Sequence, residues 1–404
     1  MKAKWLTRNL VVLTLVSLTQ DAASELLYPL LPLLLTGVLA APPIVLGTIE
    51  GIAEATAGVT KYVAGRWSDR RGRRPFVAWG YGLAAVGKVL VAAATAWSTV
   101  LLGRVVDRFG KGLRSAPRDA LIAASVPPGD YGKAFGFHRM GDTLGAVIGP
   151  LLGLLALGLL HDNVRAALWW AVVPAVLSVL LVFLVREPRI RPPAATRDAP
   201  ATATARESVL HGSPLPRSFW RVAVTLVVIA VVNFPDALLL LRVMDLGFGT
   251  TEVVLAYVLF NLVYTLGAFP AGALADRWPP AVVYSVGLAA FAVGYLGLGM
   301  VGHSGWVYVL IAVYGLFPAF TDGVGKAWIS QLVPDAHRGR AQGVYQAMMN
   351  GAVLAAGVWA GLAWTAGAGN GTVPLVVSGL VAAVAAVALA ANHRRLAPRP
   401  EPSG

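Results

Sequence analysis

Apolar stretches of about 20 residues recur along the whole chain, each long enough to cross a hydrocarbon core as a helix. Backbone groups in lipid must be satisfied within their own segment or by a closed barrel. The runs are continuous, without the alternation of a strand, so they read as helices. Only 13% of the residues are charged, about half the share of a soluble domain. The expected fold is therefore an all-α membrane protein. Twelve spans are read at 10–35, 43–64, 76–97, 99–125, 133–160, 165–185, 218–245, 251–271, 281–301, 305–332, 340–365 and 372–391. They form an N-terminal six-helix bundle (1–185) and a C-terminal one (218–393). The stretch 186–217 is rich in Pro, Ala, Thr and charge and reads as a cytoplasmic linker, and 394–404 as a cytoplasmic tail.

The net charge of +13 would point to nucleic acid in a soluble protein. Here it sits where membrane topology needs it. "MKAKWLTR", Gly65–Arg74, the linker, "PDAHRGR" and "NHRRLAPRP" are basic, whereas the alternate loops carry no Lys or Arg except Arg165. Basic loops stay on the cytoplasmic side, so the expectation is a multi-pass protein of the cytoplasmic (inner) membrane, both termini inside, with the lipid bilayer and no nucleic acid as partner. With no cysteine, disulfides and thiolate metal sites are excluded. No cleavage site follows the first apolar run, which reads as a span and not a removed signal.

The two halves repeat. "GRWSDRRG" at Gly65 returns as "GALADRWP" at Gly272, and the same offset of 207 aligns "LIAASVPPGDYGKAFGF" with "WISQLVPDAHRGRAQGV". Parallel repeats with a central site between them are a transporter architecture. Gly65-x-x-x-Asp69-Arg70-x-Gly-Arg-Arg, placed as the turn between the second and third spans and half-repeated as Gly272-x-x-x-Asp276-Arg277, resembles the signature loop of the major facilitator superfamily. The resemblance implies two pseudo-symmetric bundles that rock about a central site. It also implies that Asp69 and Arg70 join a charge network holding the cytoplasmic side closed, with Gly65 allowing close helix approach. The second copy lacks the trailing Gly-Arg-Arg. Arg73 and Arg74 are read as topology signals.

A charge at mid-bilayer costs about 2.5–3.5 kcal/mol on insertion scales, so it needs a partner or a wet cavity. The first half holds many. Asp21 and Glu25 lie one turn apart, as do Glu50 and Glu54, with Lys61 two turns on. Lys88 lies on the third span, and His138, Arg139 and Asp142 on the fifth. On the fourth, Arg104, Asp107, Arg108, Lys111, Arg114 and Arg118 fall within an arc of about 120° that cannot face lipid. The counterparts of Glu50 and Glu54 in the second half are Tyr257 and Asn261. The reading is a proton or ion relay on Asp21, Glu25, Glu50 and Glu54, with Arg104 or Arg108 as cationic partner. The bland alternative is a set of structural ion pairs, Glu54 with Lys61 and Asp107 with its flanking arginines.

On the fifth span Gly141, Gly145, Gly149 and Gly153 make a flat stripe, with a bend at Pro150. This looks like the motif associated with antiporters of that superfamily, departing from it at Leu154. The seventh span carries Asn233 and Asp236 around Pro235 and reads as a broken helix beside the cavity. Asp322 and Lys326, one turn apart, are expected to pair. Tyr257, Tyr264, Tyr314 and Phe317 read as packing first and as pocket second.

The expected function is secondary active transport by alternating access: proton-coupled antiport exporting a small organic molecule, as a monomer, powered by the proton gradient without a cofactor. The alternatives are a divalent metal-ion transporter, which the carboxylates and His138 would suit, and a proton-coupled importer. No nucleophile–base set, metal motif or P-loop context marks an enzyme. No local motif encodes the substrate.

Overall fold

The computed structural model describes residues 5–41, 43–187, 214–366 and 371–396. Most of the expected linker and tail therefore lie outside the described residues. All regular structure among the described residues is helical. The first half comprises α1 (Arg8–Pro32), continued by a π-helical stretch Leu33–Val38, then α2 (Pro43–Arg71), α3 (Arg74–Ala92), α4 (Trp97–Ser125), α5 (Tyr131–Leu159), α6 (Val164–Trp170) and α7 (Val172–Val182). The second half comprises α8 (Arg217–Ala230), α9 (Asp236–Asp245), α10 (Thr250–Ala275), α11 (Pro280–Met300), α12 (Trp306–Gln331), α13 (Arg338–Ala366), α14 (Thr372–Ala391) and the short α15 (His393–Leu396).

Nine helical stretches among the described residues are long and apolar enough to cross a membrane, against twelve spans expected. The shortfall is instructive. α2 and α4, each 29 residues long, are long enough to span but carry too much charge to look like membrane helices. The charges of α4 are buried or half-buried, whereas α2 also carries exposed Arg66, Arg70 and Arg71 near its end. The seventh span is split between α8 and α9. Pro235 offers no N–H and opens α9, and the carbonyl of Val231, freed by the break, accepts 2.8 Å from the Trp359 indole N–H.

The loop reading of Gly65–Arg74 needs correction. α2 runs on to Arg71, and the bend is confined to Gly72 and Arg73, with Gly72 at φ +88°. Only glycine takes that φ without strain.

α1 packs on α5, α3 on α4 and α2 on α4, with α7 outside α1 and α3. In the second half α10 and α11 pack on α12, and α14 on α11. The halves meet through α5 with α10 and α12, and through α13 with α2 and α4. The glycine stripe of α5 is what seats α1. Gly145 faces Leu18, Asp21 and Ala22, and Gly149 faces Ala22, Glu25 and Leu26, where an added Cβ would come within 3.1 Å of their atoms. Gly141 and Gly153 extend the same contact to Thr14 and Leu26. Pro150 lies within α5, which continues through it.

Candidate functional site

At the end of the bundle that carries Arg71, Arg73, Arg338 and Arg395, two equivalent contacts close the halves on each other. Asp69, at the end of α2, accepts the backbone N–H groups of Gly339 (3.0 Å) and Arg340 (2.7 Å), the second and third residues of α13. Asp276, just past α10, accepts those of Gly132 (2.6 Å) and Lys133 (2.8 Å), the second and third residues of α5. A helix N-terminus presents unpaired N–H groups and positive potential, so a carboxylate is its natural cap. Each half thus caps a helix of the other, in positions related by the 207-residue repeat.

The glycines make the approach possible. A Cβ on Gly65 would clash with the backbone of Gly339 and come 2.9 Å from the Cα of Gly343. One on Gly272 would clash with the carbonyl of Gly132 and come 2.9 Å from the Cα of Gly136. The second copy of the motif is therefore as fully seated as the first, although it lacks the trailing arginines.

A further arginine joins this contact. Arg70 and Arg277 are exposed, while Arg73 is 2% exposed and lies between Asp69 (3.2 Å) and Asp335 of the second half (3.0 Å). The bend at Gly72 is the reason: it turns the chain so that Arg73, just before α3, comes back beside Asp69 at the end of α2.

Toward the opposite end the halves part. Gly58 of α2, a turn from Lys61, and Gly361 of α13, five turns from Gly343, have no atom within 4 Å of where a Cβ would sit. Between lies a cavity of about 380 Å³, the size of a small-ligand site. It is lined by α1, α2, α4 and α5 from one half and by α9, α10, α12 and α13 from the other.

Of the expected relay, Asp21, Glu25, Arg139 and Asp142 line this cavity, as do Asp236, Tyr257 and Asn261. Asp21 lies against α5 at Gly145, one turn from Asp142, and both residues line the cavity. Asp142 receives Arg139 at 2.7 Å and has Arg118 at 3.9 Å. Arg139 reaches across to Asp322 and to the Tyr264 hydroxyl, which itself donates to Asp322. Asp236 accepts from Tyr314 at 2.7 Å. The Asn261 amide is turned to the carbonyl of Tyr257.

Other residues fall elsewhere. Arg104 is buried on Asp107 (3.5 Å), which also holds Lys88 (3.0 Å), so this trio fastens α3 to α4. Arg108 holds Glu54 at 3.1 Å. Neither arginine lines the cavity. The expected Glu54–Lys61 pair does not form, since Glu54 turns to α4 and Lys61 donates to Asn350 of α13 (3.3 Å). His138 sits behind the wall on the Ser17 hydroxyl (3.0 Å), and Asn233 lines a small second pocket. The side chain of Glu50 lies outside the described residues. The expected Asp322–Lys326 pair is also replaced: Arg139 takes Asp322, and Lys326 pairs at 2.8 Å with fully buried Asp119 of α4, which also binds Arg118 (3.0 Å) and Gln346 (2.9 Å). A contact between halves outcompetes the local one because each charge is desolvated and takes the geometry that satisfies it best.

The site thus includes Lys111, Arg114, Arg118, Asp119, Asp322 and Lys326, none of them among the expected functional residues. The stripe on α4 marks the first three. No sequence signal marks Asp119. Among the described residues no group of three His, Asp or Glu is placed to hold a metal.

Two helical halves that clamp at one end and enclose a charged cavity are the arrangement of a membrane transporter. The sequence matches the Major Facilitator Superfamily over residues 13–257 and 236–404, and the chain belongs to that family. It is 27% identical over 368 residues to an uncharacterized MFS-type transporter of Methanocaldococcus jannaschii, covering 89% of each chain. It is 23% identical over 385 residues to the class H tetracycline resistance protein of Pasteurella multocida, covering 90% of this chain and 94% of that one. The solved structure of a proton:xylose symporter superposes with a TM-score of 0.74 at 16% identity, over 94% of each chain.

Proposed function

We propose that the protein is a proton-coupled antiporter that exports a small organic molecule across the cytoplasmic membrane. The observation that carries this reading is the Asp21–Asp142 carboxyl pair on the cavity wall, one hydrogen bond from the Arg139 that ties the halves together. With one proton on this pair, Arg139 is free to serve Asp322 as well as Asp142. Loss of that proton adds a second negative charge beside Asp142, which draws Arg139 away from the opposite half. Proton occupancy and the contact between halves are thereby linked. The α5 stripe supports the same reading, because Gly145 lets Asp21 lie against α5 one turn from Asp142. A relative named for tetracycline resistance is consistent with export. In this reading the arginine-rich end is cytoplasmic, the conformation described is open outward, and a monomer driven by the proton gradient alone suffices.

Everted membrane vesicles with an acid interior test it. Addition of a transported compound from a panel of antibiotics, lipophilic ions and divalent metals is expected to collapse the gradient, and Asp21→Asn and Asp142→Asn to abolish the collapse. Transport of the same compound without proton movement, or collapse by metals alone, contradicts the proposal.

A further inference from the structure

The α4 stripe contains a contrast. Arg104, Arg108 and Arg118 each pair with a carboxylate, whereas among the described residues Lys111 and Arg114, between them on the cavity wall, form no ion pair, nor does Lys61 opposite on α2. Lys61 has one neutral partner, the Asn350 amide oxygen. Arg114 is 4% exposed, stacks over the Tyr81 ring at 4.4 Å, and keeps a terminal guanidinium nitrogen without a hydrogen-bond partner. The fold holds these charges close: Gly112 presses α4 onto α2, where an added Cβ would be 2.6 Å from the Cβ of Thr60, so Lys61 and Lys111 flank the same contact. Like charges held together in a low-dielectric wall repel one another. Such an arrangement is built for an anion from outside.

We propose that the transported molecule carries an anionic group, of carboxylate, phosphonate or sulfonate type, and that Lys61, Lys111 and Arg114 form its subsite. Tyr257, Phe260 and Tyr264 of α10 form the facing wall and suit an aromatic or apolar body. The proposal deepens the transporter reading.

The absence of native cysteine gives a test that needs no known substrate. Asn350→Cys places one thiol beside Lys61, and Ser98→Cys provides an exposed reference. The rates of modification by a sulfonate-bearing and a trimethylammonium-bearing methanethiosulfonate are compared in the full-length protein. The sulfonate-to-ammonium rate ratio is expected to be about tenfold higher at position 350 than at position 98. Lys61→Gln, Lys111→Gln and Arg114→Gln should each lower it, and Arg114→Lys should retain it. A ratio no higher than the reference, or one unmoved by the double Lys61→Gln/Lys111→Gln variant, overturns the subsite. So does a set of transported compounds that all lack an acidic group. Labelling does not depend on proton movement, so a failure of the antiport reading alone leaves this result standing.

Discussion

Gly272→Val is expected to stop transport while leaving the chain folded. A Cβ there meets the backbone carbonyl of Gly132 and the Cα of Gly136, and backbone in a helix cannot step aside as a flexible side chain can. Overpacking of this kind costs about 3 kcal/mol, charged here only to the conformation in which the arginine-rich end is closed. The equilibrium therefore moves about a hundredfold toward the conformation open at that end, and turnover falls with the population of the closed form. Gly65→Val should act alike, because it meets Gly339 and Gly343 in the same way. Gly58→Val, with open space around its Cβ, is the control and should transport at close to the native rate. Efflux assays of the three variants at matched expression check the expectation. Normal transport by Gly272→Val would show that the close contact is not part of the cycle.

The second large effect concerns the two helix-capping carboxylates. Asp69→Asn and Asp276→Asn each replace a charged acceptor of two N–H groups by an amide with one acceptor oxygen. Hydrogen bonds to charged groups are worth about 1.5–3 kcal/mol each. Loss of roughly 2 kcal/mol per site shifts the closed state by about 30-fold. The sites lie in different interfaces, so the double variant should approach the product of the two. The readout is modification of Thr143→Cys, on the cavity wall, by a reagent supplied at the arginine-rich end. The expected order is native slowest, the single variants faster and the double variant fastest. Asp69→Asn should exceed Asp276→Asn, since its ion pair with buried Arg73 at 3.2 Å is closer and drier than that of Asp276 with Lys133 at 3.8 Å. An Asp276→Asn variant indistinguishable from native would refute the paired lock.

The halves and their repeat were legible in the chain because duplication leaves a fixed offset in small and charged residues. Asp69 and Asp276, Gly65 and Gly272 all carry it. What they touch was not legible. A carboxylate capping a helix of the other half is a tertiary fact, and Gly132 and Gly339 carry no mark of it beyond the offset. In the cavity, the helical arc on α4 correctly says which side turns inward. It does not say which of six charges is spent on structure. Arg104 and Arg108 are taken up by Asp107 and Glu54, and only the packing of α2, α3 and α4 reveals that Lys111 and Arg114 are left facing the cavity. The Asp322–Lys326 expectation fails for the same reason, since helical spacing brings two charges near but does not exclude better partners on α4 and α5. The glycine stripe on α5 shows a flat face, while its consequence, Asp21 brought against Asp142, appears only once α1 lies on it.

The central claim is that the two halves open alternately at the two ends of the bundle. Spin labels on two cysteine pairs test it most directly. One pair is Arg71→Cys with Trp278→Cys, repeat-related exposed positions at the arginine-rich end; the other is Val38→Cys with Trp306→Cys, exposed positions at the opposite end. Distances are read in lipid nanodiscs with the gate intact and with Asp69→Asn/Asp276→Asn. The account predicts that breaking the gate lengthens the first distance and shortens the second. Two distances that change in the same sense, or a first distance that stays fixed when both carboxylates are neutralised, would contradict it.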